Sequence, residues 1–113
     1  MTIEQYEIKK EQLLKKSMNR PLVENVVEAV FNMLDREGIA MDLEQKAALV
    51  SHLSLLVSRA QYGGAVPSVN PKIFNELSEL SLELAGRVIA HFPTLAEVEK
   101  YLLAIHFSLL RLK

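Results

Sequence analysis

The chain has 113 residues, half of them apolar, and a formal net charge of −1. That length suits one domain with a substantial core, and the near-neutral charge argues against direct nucleic-acid binding, which normally uses a basic surface. The chain has no cysteine, which excludes disulfides and thiolate metal sites. No apolar run approaches the ~20 residues of a membrane span, and the charged N-terminus is unlike a signal peptide. We therefore expect a cytoplasmic domain without a cofactor.

The first 20 residues have the weakest helical pattern. Their charges are dense and their apolar positions few, which predicts a short marginal helix or an arm over residues 1–20. Residues 21–113 are then predicted to form one helical domain. Pro21 suits the first turn of a helix, apolar residues recur at helical spacing as far as Leu34, and Gly38 is the predicted C-cap.

The next predicted helix begins at Asp42, which forms a capping-box pattern with Gln45. It ends at the glycine pair that starts at Gly63. Its core stripe consists of Leu49, Leu53, Leu56 and Ala60. A loop follows, because two glycines and a proline interrupt the helical pattern there.

Asn70 and Pro71 have the identities of an N-cap and a first helical residue. The helical pattern continues from there to Phe92, and Pro93 forces an end. These signals predict one continuous fourth helix.

The last predicted helix begins at Leu95, after a capping box of Thr94 and Glu97. Its a/d-like stripe consists of Leu95, Val98, Leu102, Ile105, Leu109 and Leu112, and the further apolar residues are Leu103, Phe107 and Leu110. A helix that is apolar on most sides is either central in a bundle or faces a second chain. The second alternative predicts a homodimer. Together, the segments predict an all-α antiparallel bundle of about five helices.

The histidines are the candidate chemical groups: His52, His91 and His106. None belongs to an i, i+4 pair or an H-E-x-x-H motif of a helical zinc site. No P-loop, dinucleotide or nucleophile-elbow motif occurs. We therefore expect that the protein is not an enzyme. A metal-dependent enzyme that uses His52, His106, Glu99 and other carboxylates is the least favoured alternative. His91 is interpreted as structural or solvent-facing.

Two histidines share a helical stripe with a charged residue. Arg59 follows His52 by seven residues, and Glu99 precedes His106 by seven. Each pair is separated by about 10 Å along its helix, so contact within one helix is excluded. The four residues could converge if the two helices pack antiparallel. Periodicity alone also accommodates half-buried structural histidines beside a core stripe.

Three segments resemble, in family order, the signatures of the PTS regulation domain (PRD) family. HLSLLVSR, from His52 to Arg59, resembles the first signature, H-I-x-F-A-x-x-R. NPKIFNEL, which begins at Asn70, resembles the Asn-Pro helix start of the family. EVEKYLLAIHF resembles the closing signature, in which a glutamate precedes the second histidine by seven residues. The resemblance covers roughly residues 42–107.

Two positions depart from the family pattern. Ser51 stands where the family often has an aspartate before the first histidine, and this removes a carboxylate that could orient the imidazole. Leu102 stands where the closing signature usually has a tyrosine, and Tyr101 lies one residue earlier. The first departure bears directly on phosphorylation of His52.

The resemblance implies a helical bundle that commonly dimerises. Its histidines accept phosphoryl groups from the phosphocarrier protein or an enzyme II component of the sugar phosphotransferase system. The implied phosphoacceptors are His52 and His106, and the implied supporting residues are Arg59, Glu99 and Asn70.

In the family, phosphorylation controls an attached RNA-binding antiterminator or DNA-binding activator. Only about 20 residues precede the first strong helix here, so we expect a stand-alone module that regulates transcription through a partner. The alternative is a helical interaction or scaffold module that has lost the phosphate chemistry.

Overall fold

The structure is a computed structural model that describes residues 1–64, 68 and 70–111. Its α-helices are α1 (Ile3–Lys16), α2 (Arg20–Arg36), α3 (Leu43–Tyr62), α4 (Glu79–Ile89) and α5 (Val98–Arg111), and a 3-10 helix spans Pro71–Glu76. These described residues contain no strand, so the predicted all-α class is confirmed. None of the described helices combines the length and the apolarity needed to cross a bilayer.

The chain divides into two compact units, Met1–Ser58 and Arg59–Lys113. The first unit contains α1, α2 and most of α3. The second contains the last turn of α3, the 3-10 helix, α4 and α5. The separation of residues 1–20 from a domain over 21–113 stays a prediction.

A reciprocal cap begins α1. The Gln5 N–H donates to the Thr2 hydroxyl at 3.1 Å, and the Thr2 N–H donates to Gln5 Oε1 at 2.9 Å. Tyr6 and Leu14 are buried, and α1 packs on α2. The segment predicted as a marginal helix or an arm is therefore a capped helix with one buried face. The capping box did not enter that prediction, which rested on the charges and apolar positions of the segment.

The C-terminus of α2 forms a Schellman motif at the predicted glycine. Gly38 has φ +71°, and its N–H donates to the Asp35 carbonyl at 3.0 Å. The Ile39 N–H donates to the Leu34 carbonyl at 3.0 Å. Both bonds satisfy carbonyls that the helix end would otherwise leave without partners.

The start of α3 also follows its predicted signal. The Gln45 N–H donates to Asp42 Oδ1 at 2.8 Å, and the Asp42 N–H donates to Gln45 Oε1 at 3.0 Å. Its predicted core residues Leu49, Leu53 and Leu56 are buried. This helix is therefore capped and packed as its sequence predicts.

The predicted continuous fourth helix is wrong. A 3-10 helix over Pro71–Glu76 is followed by an extended residue, Leu77, and then by α4. Ser78 caps α4, because its hydroxyl accepts from the Ser81 N–H at 3.1 Å and donates to Ser81 Oγ at 2.9 Å. A serine that makes these local bonds ends one helical segment and begins another.

The predicted capping box of Thr94 and Glu97 is also wrong, and α5 begins at Val98 rather than at Leu95. The Thr94 hydroxyl donates instead to the Ala60 carbonyl in the last turn of α3, at 2.8 Å. That carbonyl belongs to a helix end and needs a partner. Thr94 therefore serves the end of α3 rather than the start of α5.

The buried face of α5 differs from the predicted a/d stripe. Its buried residues are Glu99, Leu102, Leu103, Ala104, Phe107 and Leu110. Of the predicted stripe, Leu109 is 56% exposed and Leu112 lies outside the described residues. Because α5 packs against α4, the helix turns its Glu99–Leu103–Phe107 side to the interior.

Candidate functional site

Arg59 and Glu99 form a bidentate ion pair inside the second unit. Arg59 Nε donates to Glu99 Oε2 at 2.5 Å, and its Nη2 donates to Oε1 at 2.8 Å. The side chains are 12% and 0% exposed. Parallel N–H···O bonds of this kind fix orientation as well as contributing energy. Two residues predicted separately as supports are thus brought together.

The position of each partner explains how the pair forms. Arg59 lies in the last turn of α3 and Glu99 in the first turn of α5. A cation near a helix C-terminus and an anion near a helix N-terminus both interact favourably with the helix dipole. The pair therefore ties the end of α3 to the start of α5.

This arrangement assigns Arg59 a partner other than a phosphate. His106 lies seven residues after Glu99 on α5, about 10 Å along the helix axis. The guanidinium is held at the level of Glu99, two turns from His106. Arg59 would have to leave Glu99 before it could bind a phosphoryl group at that histidine.

His106 is half-buried on α5 between the buried residues Leu103 and Phe107. Burial lowers the pKa of His106 below its ordinary value, because desolvation disfavours the charged imidazolium. The imidazole is therefore neutral near pH 7 and keeps a nitrogen lone pair. A neutral imidazole is the nucleophilic form of histidine.

His52 belongs to the first unit and is half-buried on α3, between Ser51 and the buried Leu53. Its Nε2 atom is buried. A reaction at Nε2 therefore requires this part of α3 to open or the side chain to change rotamer. His91 is exposed beyond the end of α4, as a solvent-facing residue would be.

Asn70 serves as a cap rather than lying in a buried site. It is exposed, and its Oδ1 accepts from the Lys72 N–H at 3.0 Å at the start of the 3-10 helix. Phe74 of the same 3-10 helix stacks on Tyr101 of α5, with ring centroids 4.5 Å apart. In the sequence, Tyr101 stands out only because it lies one residue before the position of the family tyrosine. In the structure, its ring packs against Phe74 and links the 3-10 helix to α5.

The first unit offers the half-buried imidazole of His52, and the second offers the half-buried imidazole of His106 and the buried Arg59–Glu99 ion pair. In the part of the chain that the structure describes, no three histidine or carboxylate side chains are grouped so as to hold a metal ion. Imidazole nitrogens can accept a phosphoryl group and return it without a metal ligand set.

No protein-family model and no curated protein matches the chain. Among solved structures, it is similar to a PRD-containing transcription regulator from Lactobacillus casei ATCC 334. The TM-score is 0.84 and the sequence identity is 29%, over 92% of this chain and 93% of that one. The likeness therefore extends over nearly the whole of both chains. The chain thus carries a PRD-like helical domain.

Proposed function

We propose that the chain is a regulatory module that takes phosphoryl groups from the sugar phosphotransferase system and controls transcription through a partner protein. The observation that carries the proposal is the likeness to a PRD-containing transcription regulator along 92% of the chain. The presence of His52 and His106 within the segments that resemble the family signatures supports it further.

His106 is the proposed principal acceptor. The donor is a phosphohistidine of the phosphocarrier protein or of an enzyme II component. The donor P–N bond breaks and leaves its electron pair on the donor imidazole, while a lone pair of His106 forms the new P–N bond. Transfer between two imidazoles is nearly thermoneutral. The lowered pKa of His106 supports this role, because it keeps the imidazole neutral.

His52 is the proposed second acceptor, with slower transfer. Its Nε2 is buried, and Ser51 provides no carboxylate to orient the ring. Both features predict that phosphorylation of His52 needs a conformational opening.

Arg59, Glu99 and Asn70 are the proposed supporting residues. A phosphoryl group adds close to two negative charges, two helical turns from the buried Glu99 carboxylate. The added charge would draw Arg59 away from Glu99 or strain the start of α5. Asn70 would act by holding the start of the 3-10 helix, whose Phe74 rests on α5.

A homodimer is part of the proposal. Leu109 on α5 is 56% exposed, and we place it in the proposed contact between the two copies. Light scattering of the wild type and of Leu109→Lys tests this. A dimeric wild type and a monomeric variant would support the homodimer. A monomeric wild type would refute the homodimer but would not affect the phosphorylation proposal.

The decisive experiment is phosphorylation by the purified relay. The protein is incubated with phosphoenolpyruvate, enzyme I and the phosphocarrier protein, with and without enzyme II components, and acid-labile phosphate is counted. We expect strong labelling that His106→Gln lowers to a slow remainder on His52 and that His52→Gln reduces only slightly. His91→Gln is the matched control and should be labelled like the wild type.

The alternative is an interaction module that has lost phosphate chemistry, and the buried Nε2 of His52 together with Ser51 favours it. Under this alternative no donor labels the protein. Both histidine variants would then change stability but not partner binding.

A further inference from the structure

A cleft of about 480 Å³ lies between α1 and α2 in the first unit. Its apolar floor consists of Leu14 and Val27, both buried, and the half-buried Phe31. Such a floor between two helices offers a groove into which a third helix can pack its apolar side chains.

The walls of this α1–α2 cleft are acidic. Glu7 and Glu11 line it from α1, and Glu24 and Glu28 line it from α2. The cationic residues in the lining are Lys10 and Arg20. Four carboxylates against two cations leave an excess of two negative charges, although the whole chain has a net charge of only −1.

One end of the cleft is closed by Arg20. Its Nη1 and Nη2 donate to the two carboxylate oxygens of Glu11 at 2.7 and 2.8 Å, and its Nε donates to Glu24 Oε1 at 2.6 Å. The guanidinium therefore binds both carboxylates, offsets one of their two negative charges, and joins α1 to α2 near the connection between them.

The excess charge lies one helical turn beyond that closed end. Glu7 precedes Glu11 by four residues, and Glu28 follows Glu24 by four, so each lies on the same helix face as its neighbour. Both are exposed, and neither forms an ion pair with a residue in the described ranges. Two unneutralised carboxylates thus flank the apolar floor.

We propose that the α1–α2 cleft binds a basic amphipathic helix of a partner protein. An apolar side chain of that helix packs on Phe31, and Lys or Arg residues three or four positions away pair with Glu7 and Glu28. Acidic walls repel phosphate groups, which argues against nucleic acid and anionic lipid as occupants. The proposal is independent of histidine phosphorylation, since it uses neither His52 nor His106.

The test uses a fluorescent peptide of about 14 residues, roughly four helical turns, with leucines on one face and lysines on its flanks. The control peptide has the same composition in scrambled order. Anisotropy measures the affinity, which we expect in the range of roughly 1–100 μM, and salt should weaken it. The scrambled peptide should bind at least about tenfold more weakly.

Glu7→Gln/Glu28→Gln should weaken binding of the amphipathic peptide about tenfold. Glu4→Gln/Glu44→Gln removes the same charge from exposed positions outside the cleft lining and should bind like the wild type. Phe31→Ala should weaken binding without changing its salt dependence, and circular dichroism checks that it is folded. Equal affinities for both double variants, or for both peptides, would overturn the proposal.

Discussion

Arg59 and Glu99, forty residues apart in the chain, share two hydrogen bonds in a place where the carboxylate is completely buried. The ion pair joins the last turn of α3 to the first turn of α5. Two charges withdrawn from water lose much of their hydration, and their mutual bonds offset much of that loss. Stability of the second unit should therefore depend strongly on the presence of both partners.

Removal of one partner should destabilise the protein more than removal of both. Arg59→Met leaves the Glu99 carboxylate buried without its cation and should lower the free energy of unfolding by about 3–5 kcal/mol. The double variant Arg59→Met/Glu99→Leu should recover most of that loss. Urea denaturation of the two single variants and the double variant measures the coupling as a double-mutant cycle.

The matched control for this cycle is the pair Glu83 and Arg87 on α4, at 2.7 Å but with side chains 59% and 50% exposed. Arg87→Met should change the free energy of unfolding by less than about 1 kcal/mol. If Arg59→Met were no more damaging than Arg87→Met, the buried pair would have no special structural role.

Acid should weaken the fold through His106. Its folded pKa is lowered, so the unfolded chain binds more protons as the pH falls below about 6.5. The stability linked to this group is complete above that pH and is lost as the pH falls through the lowered pKa. Urea unfolding from pH 7.5 to 5 should therefore show a steeper loss for the wild type than for His106→Gln. Parallel curves for the two proteins would contradict this assignment.

Sequence rules predicted those features that depend on nearby residues. The Asp42 cap, the Gly38 C-cap and the buried leucines of α3 follow from contacts within a few positions. The hydrogen bond of Thr94 could not be predicted in this way, because its hydroxyl donates to the Ala60 carbonyl, thirty-four residues away. A threonine three residues before a glutamate forms a capping box only when packing places its hydroxyl at the first turn of the helix, and spacing along the chain does not determine that.

The candidate site also combines features that local sequence rules predict with a feature that depends on contacts between distant residues. The spacing of seven residues placed Arg59 two turns from His52 and Glu99 two turns from His106 on the same stripes. The family resemblance proposed roles for all four. The ion pair between Arg59 and Glu99 depends on the packing of the last turn of α3 against the start of α5 inside the second unit. No periodicity within one helix contains that information.

The two glycines Gly86 and Gly38 should respond in opposite directions to alanine. Gly86 lies within α4, and an added Cβ would be 3.8 Å from Lys100 Cδ, an ordinary contact. Gly86→Ala should raise the free energy of unfolding by about 0.5–1 kcal/mol, because alanine is the better helix former. Gly38 has φ +71°, so Gly38→Ala should lower it by about 1–2 kcal/mol. Thermal melts of both variants measure the signs, and equal signs would refute the argument.

Ser78 should determine where α4 begins. Its hydroxyl satisfies the Ser81 N–H and also bonds the Ser81 hydroxyl, which belongs to a completely buried residue. Ser78→Ala removes both bonds and should lower the free energy of unfolding by about 1–2 kcal/mol. Ser108→Ala, at a half-buried position inside α5, is the control and should be neutral or slightly stabilising. Amide hydrogen exchange should show the loss of protection concentrated in the first turn of α4, whereas a uniform change along the helix would mean that Ser78 acts through packing rather than as a cap.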